Sequence, residues 1–409
     1  MDCAGHLYPV IYIKDMGDNV ASPPQRAGAA RSLPSLIALI VLITIASRSV
    51  NYMVQSTTPL LAKELGFTAT SIGLLSAAAA AAQLFASAYL NLVLSPAARR
   101  RAFIAASAAV PLLLVVFWAS NATTIWAAVA ASGLAFGIIM PNLINLPSLA
   151  PKYAERLLAI YSLSLSISLV LGPSYETWLL ASASYRSVFL YFAPLAALLV
   201  ALSTLAVFPP GKAVRSATDY ASALRGDGFI SSTLAITSYN VPFMALVNYL
   251  PIYAAEELSL TKQAAYSLFI PFFALSMLTR LLMSLKPIRN ILRSFALSAS
   301  ITIAGMALLL AAKSYAEAAV AMAVLGIPHG STFTLSTIMI ARTTKAEERN
   351  AVNSLFSSYL VVLAAAVSPA LGLLADLYGY RAMWAFALAA SAASSTAFLI
   401  KYWSFRAFK

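Results

Sequence analysis

Twelve long apolar runs dominate this sequence of 409 residues and restrict the folds open to it. An α-helix needs about 20 apolar residues to cross the hydrocarbon core of a bilayer, and each run approaches or exceeds that length. The runs are too long and too uniformly apolar for the short alternating strands of a membrane barrel. We therefore predict an all-α membrane protein with twelve transmembrane helices. The runs cover residues 33–61, 70–94, 102–119, 124–150, 157–178, 186–208, 229–254, 263–285, 291–312, 316–341, 351–375 and 382–401.

The positive charges predict how these helices are oriented. The chain has 27 Lys and Arg against 14 Asp and Glu. If the N-terminus is cytoplasmic, most basic residues, Arg280 among them, fall in segments on the inner side of the membrane. This asymmetry follows the positive-inside rule. It predicts a multi-pass protein of the cell membrane with both termini in the cytoplasm, and it explains the basic charge without a nucleic-acid partner.

The second half of the chain repeats the first at one constant spacing. The matching positions are Glu64-Leu65 and Glu257-Leu258, Thr68 and Thr261, Arg100 and Arg293, Gly133 and Gly326, Gly137 and Gly330, and Glu155-Arg156 and Glu348-Arg349. Further along the spacing slips slightly, so that residues 172–173 (Gly-Pro) correspond to residues 368–369 (Ser-Pro). Thr68 and Thr261 are expected to cap the second helix of each half.

The repeat predicts two pseudo-symmetric six-helix bundles joined by a polar linker. The predicted segments are a cytoplasmic N-terminal tail (1–32), an N-terminal bundle (33–208), a cytoplasmic linker (209–228), a C-terminal bundle (229–401) and a cytoplasmic C-terminal tail (402–409). In transporters built from such repeats, the substrate site lies near the bilayer midplane between the repeats. We therefore expect a solute site between the two bundles.

Two neighbouring segments resemble a known family. Residues 59–68 (Pro-Leu-Leu-Ala-Lys-Glu-Leu-Gly-Phe-Thr), followed by residues 71–75 (Ser-Ile-Gly-Leu-Leu), are similar to the end of helix 1 and the start of helix 2 in the major facilitator superfamily. The resemblance covers roughly residues 33–401. It implies the twelve-helix fold of that family, with helices 1, 4, 7 and 10 lining a central cavity, and transport by alternating access of a rocking type.

The loop between helices 2 and 3 departs from the signature of this family, Gly-x-x-x-Asp-Arg-x-Gly-Arg-Arg. In residues 91–100 only the terminal arginines match it. A closer match stands at the end of predicted helix 11, in residues 372–381 (Gly-x-x-x-Asp-x-x-Gly-Tyr-Arg). The resemblance implies gating contacts at Arg99, Arg100, Asp376 and Arg381.

Arg48 lies near the middle of the first apolar run, with about as much hydrocarbon before it as after it. A charge at the bilayer midplane costs from about 2.5 kcal/mol on insertion scales to more than about 10 kcal/mol in simulations, so such residues usually face water, a partner or a substrate. Arg48 is therefore the first candidate for substrate binding. The alternative is a structural cation that donates to helix carbonyls at a break.

Other polar residues of predicted helices 1, 4, 7 and 10 are expected to line the same cavity. The predicted substrate-binding residues are Arg48, Tyr52, Gln55, Asn142, Asn240, Asn248, His329 and Thr332. His329 lies at the same depth as Arg48. Each of these residues has a structural alternative, because amides and hydroxyls also hold membrane helices together. The imidazole of His329 could likewise satisfy the helix carbonyl that Pro328 frees.

The acidic residues constrain the substrate. None of the 14 is expected at mid-depth, and Glu176 and Asp376 come nearest, close to the outer ends of helices 5 and 11. An organic cation usually needs a buried carboxylate, whereas a guanidinium binds a carboxylate through two hydrogen bonds. We therefore expect a small organic anion as substrate. His329 titrates near physiological pH and is the expected carrier of a coupling proton.

Other functions stay open from the sequence. An efflux transporter of multiple drugs or amphipathic compounds is the main alternative, and an Arg48 paired inside the protein would favour it. A receptor that no longer transports is another. An intramembrane enzyme would need a nucleophile, acid or metal set beside His329, which a chain with two His and one Cys poorly supplies. We expect a monomer in the lipid bilayer without cofactor or metal, with a small molecule and a proton or other ion as partners.

Overall fold

The computed structural model describes residues 32–90, 94–144, 146–149, 153–207, 223–285, 288–345 and 348–409. The predicted N-terminal tail, apart from Ser32, lies outside the described residues. So does most of the predicted linker, of which only its last part from residue 223 is described.

Six transmembrane helices form the N-terminal half. They are α1 (Leu33–Glu64), α2 (Ala69–Leu84, which continues as a π-helical turn, Phe85–Leu90), α3 (Pro96–Ala119), α4 (Thr124–Leu143), α5 (Ala154–Leu179) and α6, which has two pieces (Tyr185–Tyr191 and Ala193–Thr204). A short 3-10 turn, Leu146–Leu149, follows α4.

The C-terminal half repeats this order. It contains α7 (Asp227–Glu256), α8 in two pieces (Lys262–Ser267 and Phe269–Leu285), α9 (Ile291–Ala311), α10 (Tyr315–Thr343) and a last helical stretch, Arg349–Tyr402. A short helical turn at residues 223–225 precedes α7, and a 3-10 turn at Arg406–Phe408 follows the last helix.

The last helical stretch is two membrane spans joined at a glycine. Its 54 residues would extend about 80 Å as one helix, far more than a bilayer needs. Gly379 breaks it with φ 83° and ψ 165°, a left-handed conformation that glycine adopts without steric cost. We name residues 349–378 α11 and residues 380–402 α12. The eleven apolar stretches found in the described residues therefore give twelve spans, which confirms the predicted fold.

The internal repeat is visible in local structure. Thr68 caps α2 by accepting a hydrogen bond from the Ser71 backbone N–H at 3.2 Å. Thr261 caps α8 in the same way, from the Ala264 backbone N–H at 3.2 Å. Both predicted caps are confirmed, and they start the second helix of each half at equivalent places.

The repeated glycine pairs hold equivalent helices close together. A Cβ at Gly133 of α4 would lie 2.4 Å from the Ala79 carbonyl oxygen of α2. A Cβ at Gly326 of α10 would lie 2.2 Å from the Phe272 carbonyl oxygen of α8. Small residues spaced four apart allow such backbone contact in membranes. The repeat therefore encodes the same packing, α4 on α2 and α10 on α8, in both halves.

Contacts between the two halves concentrate at one end of the helices, which we call the closed end. It contains the α1–α2 connection (65–68), the α7–α8 connection (257–261) and the Gly379 break. Two ion pairs cross between the halves there, Lys63 with Glu256 at 2.9 Å and Lys262 with Glu64 at 2.7 Å. The helix contacts between the halves include α2 with α11, α5 with α8 and α1 with α7.

Candidate functional site

A cavity of about 230 Å³ lies between the two halves. Helices α1, α2 and α4 line it from the N-terminal half, and α7 and α11 line it from the C-terminal half. Its walls are largely apolar, and its polar side chains are neutral. They are Asn51, Gln55, Thr58, Ser76, Gln83, Ser132, Asn240, Asn248 and Ser368. The cavity can hold a small organic solute and offers it amide and hydroxyl groups.

Three of the predicted binding residues, Gln55, Asn240 and Asn248, line this cavity, but they are not equally free. Gln55 is exposed to the cavity and Asn240 is partly buried. Asn248 is buried and already bonded on both sides: its amide oxygen accepts from Ser76 Oγ at 2.7 Å, and its amide nitrogen donates to Ser368 Oγ at 3.1 Å. Asn248 therefore ties α2 to the C-terminal half, while Gln55 is available to a ligand.

Arg48 lies in the middle of α1 but is not among the residues that line this cavity. Its side chain is partly buried and points towards α4, where Nη1 donates to the Met140 sulfur at 3.5 Å. Its buried Nε has no hydrogen-bond partner. Tyr161 of α5 lies within electrostatic range. Among the described residues no carboxylate forms an ion pair with Arg48.

Arg280, which the charge count assigned to the inner side, lies within α8 and reaches into the protein. Its Nη2 donates to the His329 backbone carbonyl at 3.5 Å, and its charge interacts with that of Arg48. No ion pair satisfies it among the described residues. The signal was present in the sequence, because Arg280 falls inside the eighth predicted span. Two guanidinium groups and an imidazole, from α1, α8 and α10, therefore form a basic cluster: Arg48, Arg280 and His329.

Aromatic rings surround the imidazole of His329. Its ring centroid lies 4.7 Å from that of Phe243, 4.9 Å from Phe272, 5.5 Å from Tyr239 and 5.6 Å from Phe273. Its buried Nε2 has no hydrogen-bond partner. Phe243 also lines the cavity, so this one ring touches both the imidazole and the cavity.

The remaining predicted binding residues lie outside the cavity lining. Tyr52 packs edge-on against Phe269 and Phe273 of α8, at centroid distances of 5.9 and 5.0 Å. Thr332 is buried against α9, with its hydroxyl 2.9 Å from Ser298 Oγ. Asn142 donates to the Ile138 carbonyl one turn earlier in α4, at 2.7 Å. Tyr52 and Thr332 thus pack against neighbouring helices, whereas this Asn142 bond lies within α4.

The four predicted gating residues differ in what they touch. Asp376 joins the halves: its carboxylate accepts from the Ala69 N–H at 2.9 Å and from the Thr70 N–H at 2.8 Å, at the N-terminus of α2. A carboxylate at that position also complements the helix dipole. Arg381 pairs with Glu257 at 3.1 Å within its own half.

Arg100 donates to the Ala206 and Thr204 carbonyls at the end of α6, at 3.0 Å each. Arg99 donates to the Leu94 carbonyl at 3.4 Å. Both contacts are made within the N-terminal half. Among the contacts described for the four residues, those of Asp376 join one half to the other.

Glu176 of α5 was not among the predicted site residues, although it is fully buried at the closed end. The Thr57 hydroxyl donates to its Oε1, and the Tyr266 hydroxyl of α8 also reaches its carboxyl group. Its second oxygen, Oε2, has no hydrogen-bond partner. The residue stands near the end of the fifth predicted span, where depth alone did not single it out.

Three solved structures share this architecture. The nucleoside transporter NupG has a TM-score of 0.65 at 14% identity, over 91% of this chain and 100% of that one. A bacterial homologue of the human lysosomal transporter Spinster, in an inward-facing and unoccupied conformation, has a TM-score of 0.68 at 13% identity, over 92% and 100%. A POT family transporter in complex with a thioalcohol-conjugated peptide has a TM-score of 0.73 at 12% identity, over 91% and 96%. At these identities the likeness shows the fold alone.

The sequence itself also carries a family match. Residues 38–369 match the Major Facilitator Superfamily. No curated protein sequence matches the chain. The family match spans most of the chain, from α1 into α11, and the twelve helices have the arrangement that the family fold requires. The chain therefore belongs to the major facilitator superfamily and is a membrane transporter, not an enzyme.

Proposed function

We propose that the protein is a secondary active transporter of small organic anions. The observation that carries this proposal is the basic cluster, in which Arg48 and Arg280 lie within electrostatic range of each other and have no carboxylate partner among the described residues. Two neighbouring cations in a protein interior are unfavourable unless a counter-charge compensates them. A carboxylate or phosphate ligand supplies that charge, and each guanidinium can bind it through two hydrogen bonds.

The cavity supports a route to this cluster. Gln55 and Asn240 provide amide donors along the wall that is shared by both halves. Phe243 lies between that wall and His329. Rotation of this ring would join the cavity to the cluster and allow a solute to contact Arg280 and Arg48. The proposed site thus combines neutral amides at its entrance with cations at its centre.

We propose a rocking alternating-access cycle, coupled to a proton. His329 is the candidate proton carrier, because a protonated imidazole would add a third positive charge for the anion and a neutral one would help to release it. Transport by His329→Gln that kept normal proton coupling would remove this role. The proposal places the closed end outside and both termini in the cytoplasm, with the transporter working as a monomer in the cell membrane.

Efflux of amphipathic compounds is the second candidate function. It is favoured by the apolar walls of the cavity, to which Phe136, Phe243 and Met244 contribute. Flexible Met and aromatic side chains accommodate varied apolar ligands. The two candidates differ in whether the basic cluster takes part in binding.

A thermal-shift screen separates them. The purified protein is screened with carboxylates, organic phosphates, sugars and lipophilic cations, together with Arg48→Ala, Arg280→Ala and the control Arg406→Ala, whose side chain is exposed in the C-terminal turn. Ligand at about 100 times its Kd stabilises a protein by about 2.7 kcal/mol. We expect stabilisation by an anion in wild type and Arg406→Ala, and its loss in both cluster variants. Stabilisation by lipophilic cations alone, unchanged in the variants, would establish the second candidate instead.

A further inference from the structure

Two helix contacts that join the halves at the closed end occupy equivalent places in the repeat. One joins α2 to α11 and the other joins α8 to α5. Gly73 of α2 corresponds to Tyr266 of α8 by the main spacing of the repeat, and Gly372 of α11 corresponds to Glu176 of α5 by the later, slipped spacing. The same two positions thus carry a pair of glycines in one contact and a tyrosine with a glutamate in the other.

In the α5–α8 contact, Glu176 is shielded from water and has no positively charged partner among the described residues. Glu176 is fully buried, and its described partners are the hydroxyls of Thr57 and Tyr266. Tyr266 in turn lies 2.5 Å from Ser56 Oγ of α1. The titratable groups that face Glu176 are Tyr52 of α1, Tyr185 of α6 and Tyr266 of α8. Among the described residues no Lys, Arg or His pairs with it.

Such a site suits the neutral acid rather than the carboxylate. An isolated carboxylate removed from water costs far more than a neutral polar group, unless a cation or several donors compensate it. Glu176 has Oε2 buried without any partner, which is a heavy cost for a charged oxygen and a smaller one for a neutral carboxyl group. If α5 and α8 separate, water reaches the side chain and favours its ionised form.

We propose that Glu176 is a protonation-dependent latch between the two halves. The closed end shuts around the neutral acid with uptake of one proton, and opening hydrates and ionises the carboxyl group. The α2–α11 contact, with glycines at the equivalent positions, carries no such response. The proposal rests on the alternating-access cycle of the proposed function, but it does not depend on which solute is transported.

The distance across the closed end, measured against pH, tests this latch. Spin labels are placed at Ser182→Cys in the α5–α6 connection and Gln263→Cys at the start of α8, two exposed positions, after Cys3→Ser removes the native thiol. The full-length protein in lipid nanodiscs is titrated from about pH 6 to about pH 9, the range in which buried carboxyl groups titrate. Uptake of one proton on closing makes the ratio of open to closed molecules rise by up to about tenfold per pH unit.

Two variants identify the group responsible. Glu176→Gln imitates the neutral acid, so we expect it to stay closed across the whole range. Glu257→Gln is the matched control, because it removes an acid at the same end that is partly exposed and paired with Arg381. Because Glu257 keeps its cationic partner Arg381 and its contact with water, this variant should keep the wild-type pH response.

A pH-independent distance in the wild type would overturn the proposal without any variant, even if Glu176→Gln failed to fold. A wild-type pH response in Glu176→Gln would overturn it too. Because no ligand is added, failure here is distinct from failure of the anion screen, which reports on Arg48 and Arg280 alone.

Discussion

Two of the contacts that join the halves, α2–α11 and α5–α8, are related by the repeat but built differently. In the first, a Cβ at Gly73 would lie 2.3 Å from the Ser368 carbonyl oxygen, and a Cβ at Gly372 would lie 2.2 Å from the Ala69 carbonyl oxygen. In the second, a buried carboxyl group and hydroxyls meet between the helices. Backbone against backbone can only pack, whereas a titratable side chain can also respond to its surroundings.

The difference also extends inward from the closed end. The neutral cavity is lined by α2 and α11, where Asn248, Ser76 and Ser368 join the halves by hydrogen bonds. The basic cluster lies towards α5 and α8, where Arg280 is carried by α8 itself. The fold thus places the two helix contacts symmetrically. Their side chains differ, because charged and titratable groups lie near α5 and α8, whereas glycines let α2 and α11 pack closely.

The largest effect is expected where the backbones touch. Gly73→Ala places a methyl group at a distance that the Ser368 carbonyl cannot accommodate, so α2 and α11 must move apart. Overpacking of this kind costs about 1–3 kcal/mol. We expect a lower midpoint of thermal unfolding and a less populated closed state. Differential scanning fluorimetry in detergent measures the first, and the spin-label distance across the closed end measures the second.

Gly172→Ala is the matched control for that substitution. Gly172 belongs to α5, and a Cβ there would meet Ser49 at 3.4 Å, an ordinary contact. Since Ala favours a helix over Gly by about 0.5–1 kcal/mol, this variant should be neutral or slightly more stable. Equal destabilisation by both alanines would show that the loss of stability does not come from the close backbone contact between α2 and α11.

A smaller effect is expected at the α2 N-terminus. Asp376→Asn keeps one acceptor but loses the negative charge that receives the Ala69 and Thr70 N–H groups. Loss of a helix cap costs about 0.5–2 kcal/mol, and a partial loss at an exposed site should lie at the low end of that range. Chemical cross-linking of cysteines across α2 and α11 would report a looser contact. An unchanged cross-linking yield and unfolding midpoint would show that the carboxylate does not act as a link.

The smallest effect is expected from the exposed ion pairs. Lys63→Ala removes the pair with Glu256, whose side chains are 39% and 43% exposed. Exposed pairs contribute about 0–1 kcal/mol, less at high salt. Unfolding midpoints at low and high salt should therefore differ little between this variant and the wild type. A drop as large as that of Gly73→Ala would mean that charge, and not backbone contact, holds the closed end.

Much of the fold was predictable because it depends on local patterns. Apolar run length sets the spans, and the repeat sets which helices are equivalent. Thr68 and Thr261 cap helices as expected because capping needs only residues a few positions apart. The Gly379 break was also readable, since the eleventh and twelfth apolar runs are separate in the sequence.

The candidate site was only partly predictable. Gln55 and Asn240 were expected in the cavity and line it, while Thr332 faces α9 instead. Helical spacing puts residues on one face but does not say which neighbouring helix that face meets. Arg280 was missed because it was counted with the basic residues of the inner side, whereas its long side chain reaches the His329 backbone carbonyl inside the protein.

The sequence by itself determined a twelve-helix membrane transporter with two related halves, since hydrophobic length and internal repetition are properties of the chain alone. Only the tertiary structure decided that Arg48, Arg280 and His329 form one cluster and that Glu176 meets Thr57 and Tyr266. These residues come from different helices, and their approach is set by how the helices cross and pack. Equivalent positions in the repeat therefore carry different chemistry, glycine against glycine on one side and glutamate against tyrosine on the other.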